Sequence, residues 1–197
     1  MTEPVRFPAL DAVGDIVAGE PPVPITVWHV PAPHPGDTMS ITLADRLVQN
    51  FTTRRRWLIL DLTSGEQLAR AVHAAERHHA RHTPQDLSIG VRQAALVVAG
   101  WPLGDTDPVT FFGDCAQRVM VGGCVAVVLG DVELTVNQVL IAAARAAGLT
   151  YLQHIVAAHD LTGQRGQLGD TGTHLSVHSD VLIFNSSLDG LRESADG

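Results

Sequence analysis

The sequence contains no lysine, so all 13 of its basic residues are arginine. That absence excludes a lysine Schiff base and the phosphate-binding loop that ends in Gly-Lys-Ser/Thr. Cysteine is almost as scarce. Cys115 and Cys124 are too few for a disulfide framework, and their apolar neighbours mark them as small core residues rather than a redox pair. Positive charge is in deficit overall, the formal net charge being −8, which argues against a large nucleic-acid footprint. Long apolar runs are missing too. None reaches the roughly 18 residues of a membrane span, and Met1 to Val13 lacks the basic-then-apolar order of a signal peptide. A soluble, cytoplasmic protein without membrane contact is the expectation.

What is present is a globular composition, 45% hydrophobic against 17% charged over 197 residues, which suits one domain with one core. Residues 1–37 read as a proline-rich N-terminal arm, extended around Pro21-Pro22-Val23-Pro24 and Pro31-Ala32-Pro33-His34-Pro35 and anchored by Trp28. Residues 38–187 read as an α/β domain, and 188–197 as a flexible tail. A first helix is expected from near Thr42, with Asp45 completing a weak capping box and Leu43, Leu47, Val48 and Phe51 as its apolar stripe.

The organising stretch is Trp57-Leu58-Ile59-Leu60-Asp61-Leu62-Thr63-Ser64-Gly65, a short apolar run that ends in an acid, small polar residues and glycine. It reads as a buried strand and tight turn, with helical spacing from Glu66 to Arg81 behind it. Such strand–turn–helix junctions bind cofactors in open α/β sheets. Arg54-Arg55-Arg56 enters this strand at the opposite end and reads as a solvated turn.

Further strands are expected at Leu87–Val91, Ala94–Val98, Cys124–Leu129, Tyr151–Ala158 and Val177–Phe184. Asp107-Pro108 has the chemistry of a helix N-cap and first residue, with Phe112, Cys115, Ala116, Val119 and Met120 facing inward and Gly122-Gly123 closing the element. Thr135 and Gln138 form a capping box for a helix that Gly148 stops. Alternating strands and helices, followed by two strands in succession, give a doubly wound, mostly parallel sheet with an antiparallel C-terminal hairpin at one edge. That is the outline of a class I methyltransferase, a Rossmann-like α/β fold.

Several stretches carry a closer likeness. Ile25-Thr26-Val27-Trp28-His29-Val30-Pro31 through Pro35, then Leu58 to Gly65, Gly122 to Asp131, and Val181-Leu182-Ile183-Phe184 resemble, in this order, S-adenosylmethionine-dependent DNA methyltransferases acting on exocyclic amino groups of adenine or cytosine. The resemblance implies S-adenosylmethionine as cofactor; no metal is expected. It places Trp28 and Pro31 over the methionine end of that cofactor, and Asp61, Thr63, Ser64, Gly65 and Asp131 around it. The chain departs from the family pattern at the positions that carry chemistry. Thr63 stands where the family has an aromatic residue, Gln67 replaces the second glycine of the turn, and no acid ends a strand between Arg81 and Ala94 to grip the ribose hydroxyls. In the catalytic motif, Gly100-Trp101-Pro102-Leu103 replaces Asp/Asn/Ser-Pro-Pro-aromatic, removing both the side-chain acceptor and the stacking ring. Trp101, Pro102 and Asp105 remain as candidate catalytic residues.

The expectation is therefore a degenerate, DNA-methyltransferase-like protein acting as a binding or regulatory module with a protein partner or a second copy of itself. Nucleic acid is a possible partner by the resemblance but is disfavoured by the acidic charge. The alternatives are an active S-adenosylmethionine-dependent methyltransferase with an atypical site, or a structural subunit whose crevice its own side chains fill. His78 and His82 fall at i and i+4 of the expected helix, a metal-ligand spacing, but no third ligand or general base accompanies them and a solvated face is the better reading. His174, Ser176 and His178 would share a strand face without an oxyanion donor, which argues against hydrolysis.

Overall fold

A computed structural model describes residues 16–17, 23–53, 57–90, 93–130, 134–160 and 178–187. Its strands are β1 (Ile16–Val17), β2 (Val23–Pro31), β3 (Leu58–Leu62), β4 (His78–Arg81), β5 (Ala94–Trp101), β6 (Val119–Leu129), β7 (Thr150–Asp160) and β8 (His178–Asn185). The helices are α1 (Ile41–Phe51), α2 (Gln67–Ala74), α3 (Pro108–Arg118) and α4 (Leu134–Ala146). All eight strands form one sheet in the order β1-β2-β7-β8-β6-β5-β3-β4.

The central strands are near-continuous apolar runs because both faces of the sheet are covered. Successive side chains of β5 and β6 alternate between two cores. Val97, Ala99, Val125, Val127 and Leu129 pack beneath α3 and α4, while Leu96, Val98, Cys124, Ala126 and Val128 pack beneath α1 and α2. Cys115 and Cys124 thus lie in opposite cores, so they cannot form a redox pair, and burial pushes both thiols up.

Every strand that pairs in parallel, β2 to β7, points its carboxyl end to one edge, whereas β8 runs against its neighbours β6 and β7. The β7–β8 hairpin is therefore present but internal. Val23–Pro31, expected only to be extended, adds outside it as a nine-residue parallel strand, in register from Ile25↔His154 to Pro31↔Asp160.

Four local expectations are corrected. The helix expected over 66–81 ends at Ala74, and His78–Arg81 is a strand pairing with β3, so His78 and His82 share no helix face. Leu87 lies in a 3₁₀ turn, Pro84–Ser88, instead of a strand; Thr83 opens it by donating its N–H and its hydroxyl to the Asp86 carboxylate, at 2.8 and 2.7 Å. The N-cap of α1 is Ser40, whose hydroxyl accepts from the Leu43 N–H, rather than a box built on Thr42. Val119, Met120 and Gly122-Gly123 belong to β6 and not to the end of α3: four residues lie between Val119 and Cys124, opposite the single residue between their partners Ala94 and Leu96. Glycine serves this bulge, because a Cβ at Gly123 would lie 2.8 Å from a Val119 methyl carbon.

Candidate functional site at the carboxyl edge of the sheet

β3 continues through α2 to β4 on one side, and its neighbour β5 continues through α3 to β6 on the other. The two connections diverge, which leaves a crevice between the carboxyl ends of β3 and β5, the topological switch point where open α/β sheets bind ligands. An open cleft of about 1340 Å³ lies there. Its walls are the 32–38 segment, Ser64, the 84–88 turn, the 100–107 loop and one face of α3, and His159 and Ser179 reach it from β7 and β8.

The turn after β3 is built around Asp61, whose side chain is wholly buried. Its Oδ1 accepts from the Thr63 N–H at 2.9 Å and the Thr63 hydroxyl at 2.7 Å, and its Oδ2 lies 2.8 Å from His79 Nε2 and 3.3 Å from Arg81 Nη2. Arg81 also donates to Glu66 Oε1 at 2.8 Å and to the Gly65 carbonyl. Partial burial alone would lower the guanidinium pKa; the hydrogen bond to Glu66 and the charge of Asp61 outweigh it and leave a net rise.

The 36–38 segment laces onto the same turn. Ser64 donates its N–H to Thr38 Oγ1 at 2.8 Å, the Thr38 N–H donates to the Ser64 carbonyl at 3.1 Å, and Gln67 donates to the Asp37 carboxylate. The long side chain in the place of the second glycine is thus held at the rim by Asp37. Two close approaches need glycine. Gly65 has φ +89° and faces Asp37, while a Cβ at Gly100 would sit 2.7 Å from Thr38 Oγ1.

At the end of β5, Trp101, Pro102, Leu103 and Asp105 all line the cleft. The Trp101 ring is half-buried and tilted 52° to Phe111 at 5.7 Å, so it forms a wall that also closes the core. Asp107 spends one carboxylate oxygen on the N-terminus of α3, accepting from the Thr110 N–H at 2.9 Å and the Thr110 hydroxyl at 3.1 Å. On the far side, His159 Nε2 lies 3.3 Å from Ser179 Oγ, both residues being buried.

Of the residues singled out from sequence, the cleft brings together Ser64, Trp101, Pro102 and Asp105. Asp61, Thr63 and Gly65 stand behind the wall as its scaffold. Trp28 packs toward α1 with the Arg46 guanidinium 5.8 Å from its ring, and Pro31 is exposed at the end of β2, where Ala32 and Pro33 take the place beside the cleft. Asp131 lies outside the described residues, as do His174 and Ser176. The strand next to β3 does end beside the crevice, but it ends in Arg81 and not in an acid. His159, Ser179, Asp114 and the 84–88 turn were not anticipated, because only the packing of β7, β8 and α3 brings them to one place. Among the described residues no group of three or more His, Cys, Asp or Glu could hold a metal, and no helix is long and apolar enough to cross a membrane.

No family model and no curated protein sequence matches the chain. Solved structures do match. A candidate sarcosine dimethylglycine methyltransferase from Galdieria sulphuraria superposes with a TM-score of 0.51 at 12% identity, over 74% of this chain and 84% of that one. Geranyl diphosphate C-methyltransferase from Streptomyces coelicolor A3(2), solved with Mg2+, geranyl diphosphate and S-adenosyl-L-homocysteine, gives 0.51 at 10% identity, over 74% and 80%. The chain has the class I methyltransferase fold. In that fold, β3 and its turn flank the crevice, and the open cleft runs against a crevice filled by its own side chains.

Proposed function

We propose that this protein is a binding module descended from the exocyclic-amino DNA methyltransferases, that it takes S-adenosylmethionine or its demethylated product into the cleft, and that it does not methylate DNA. The open cleft at the switch point carries the first half of this reading. Its volume exceeds the roughly 300–1,000 Å³ of most small-molecule sites, which leaves room for a nucleoside-sized ligand. Thr38 and Ser64 offer polar contacts at one wall, while Trp101, Leu103 and Phe111 offer an apolar slot for a base. The ribose would be held without the usual acid, because Arg81 is turned back to Asp61 and Glu66.

The second half rests on the β5 loop. A bound S-adenosylmethionine supplies a methyl group on a positively charged sulfur, and an acceptor amine must be held by hydrogen-bond acceptors in line with it. Gly100-Trp101-Pro102-Leu103 has no acceptor side chain, and Leu103 offers no ring to stack on an extruded base. Titration calorimetry with S-adenosylmethionine and S-adenosylhomocysteine tests the binding, with saturable uptake of at least one expected. Transfer of labelled methyl to duplex DNA is expected to stay at background, and incorporation above it sinks the non-enzymatic half.

A second reading, transfer to a small acceptor, is favoured by one observation: His159, buried at the cleft floor and within reach of Ser179, is a group that could hold the acceptor's proton. Labelling of small-molecule pools, abolished by His159→Ala, distinguishes it.

A further inference from the structure

We infer that the cleft selects a small organic cation, a primary amine or polyamine, with the Asp105 and Asp114 carboxylates as its charge partners. The inference rests on the reading of the cleft as a ligand site and adds the chemistry of what enters it. Among the described residues four carboxylates line the cleft, those of Asp37, Asp105, Asp107 and Asp114, and no arginine does. With lysine absent from the chain, the described lining carries no permanent positive charge. A concave site lined by one sign of charge focuses its field and concentrates the opposite ion.

Two of these acids are already engaged, Asp37 by Gln67 and Asp107 by Thr110. Asp105 and Asp114 make no hydrogen bond or ion pair with any described residue, and Asp114 is half-buried. Both carboxylates are therefore left to pair with a cation that enters the cleft.

Geometry supports the same sign. α3 turns Asp107, Thr110, Phe111 and Asp114 to the cleft at i, i+3, i+4 and i+7, so one helical stripe carries both acid and aromatic groups. The N-terminus of a helix ordinarily favours an anion. Here the Asp107 carboxylate already caps it, which leaves a phosphate like charge instead of free N–H donors. Trp101, tilted against Phe111, presents a ring wall over which an ammonium or its methylene stem packs favourably. The acceptor of any reaction in this cleft, or its regulatory ligand, is then an amine and not a phosphorylated molecule.

Titration calorimetry of the full chain with spermidine and agmatine, and with adenosine monophosphate as the anionic comparison, tests this at 150 mM NaCl. Saturable binding of one amine per chain and none of the nucleotide is expected. Asp105→Asn/Asp114→Asn should weaken the amine at least tenfold, and the exposed single variant Asp105→Asn, which leaves the helix stripe intact, severalfold. Asp45→Asn, on α1 away from the cleft, should bind as the parent does and so exclude diffuse attraction to an acidic surface. Equal amine affinity in parent and double variant, equal loss in Asp45→Asn, or nucleotide binding as tight as the amine overturns the inference. The two readings fail separately. Uptake of S-adenosylhomocysteine without any amine binding leaves the cofactor reading standing and removes this one, and amine binding without adenosyl uptake does the reverse.

Discussion

Asp61 is a landmark in the sequence, and in the fold its carboxylate is fully engaged within the protein. Its position at the end of β3 follows from the sequence, since an acid closing an apolar run stands out. Its partners do not, because His79 and Arg81 arrive from a strand where the residue spacing predicts helix. With both carboxylate oxygens spent on Thr63, His79 and Arg81, the side chain serves as the internal anchor of the turn. Replacing it by alanine removes a wholly buried acceptor and strands the donors around it, and should cost about 2–4 kcal/mol of stability. Arg81→Met should cost less, about 1 kcal/mol or under, because a guanidinium 44% exposed is screened by solvent. Urea unfolding of the two variants gives the comparison; similar midpoints for both would show that the anchor lies elsewhere. Asp61→Ala is accordingly a poor probe of cofactor binding, since it disturbs the fold first.

At the scale of elements, the contrast between α2 and α4 explains which boundaries could be read. Both helices end in the same motif. After α4, the Gly148 N–H bonds to the Arg145 carbonyl and the Leu149 N–H to Ala144, with Gly148 at φ +76°. After α2, the Glu76 N–H bonds to His73 and the Arg77 N–H to Val72, with Glu76 at φ +55°. Glycine announced the first stop, whereas glutamate disguised the second, and the good helix formers around it carried the expected helix on to Arg81. The strand His78–Arg81 exists because β3 offers it a ladder, which is tertiary context that local propensity does not contain. A left-handed conformation costs a residue with a Cβ about 1–2 kcal/mol, so Glu76→Gly should stabilise the protein by up to about 1 kcal/mol once the freer unfolded chain is counted. A rise in urea midpoint at unchanged slope is the expected result.

The β7–β8 hairpin belongs to the same scale. Burial raises the pKa of Asp180, but the hydrogen bond from His154, 3.0 Å away, together with the charges of His154 and His178 and a bond from Asn137, outweighs it and leaves the carboxyl below its ordinary value. A depressed pKa in the folded state gives stability that is complete above the unfolded value of 3.8 and is lost as the pH falls through the folded one. Asp180→Asn should therefore lie about 1 kcal/mol below the parent at pH 5, with the gap closing toward pH 3. A gap that stays constant across that range would assign the loss to packing and not to charge.

For the whole molecule, the layered α/β architecture was legible because its signals are periodic and redundant: apolar strands of fixed length, helices between them, and caps such as Asp107-Pro108. The cleft was legible only in part, since its walls come from segments as distant as Ala32 and Ser179, and no spacing in the chain announces that they meet. Charge, by contrast, needs no fold to be counted, and the fold sharpens what the count means. Among the described arginines, Arg77 binds Thr52, Arg81 binds Asp61 and Glu66, and Arg118 binds the carbonyls of the 84–89 segment, so three of the basic side chains are tied into the protein itself. The run Arg54-Arg55-Arg56 lies outside the described residues and precedes β3, whose carboxyl end is the one that meets the cleft. Neutralising DNA phosphates requires clustered cations beside the reacting site, and non-specific binding proteins that have them reach dissociation constants of about 0.1 mM to 1 μM at physiological salt. With a net charge of −8 and an acidic cleft, this protein should bind duplex DNA more weakly than about 0.1 mM at 150 mM salt. Fluorescence anisotropy with a labelled duplex, repeated at 50 mM salt, checks it. Micromolar binding that weakens steeply with salt would mean that a basic surface exists beyond the described residues, and would return DNA to the list of substrates.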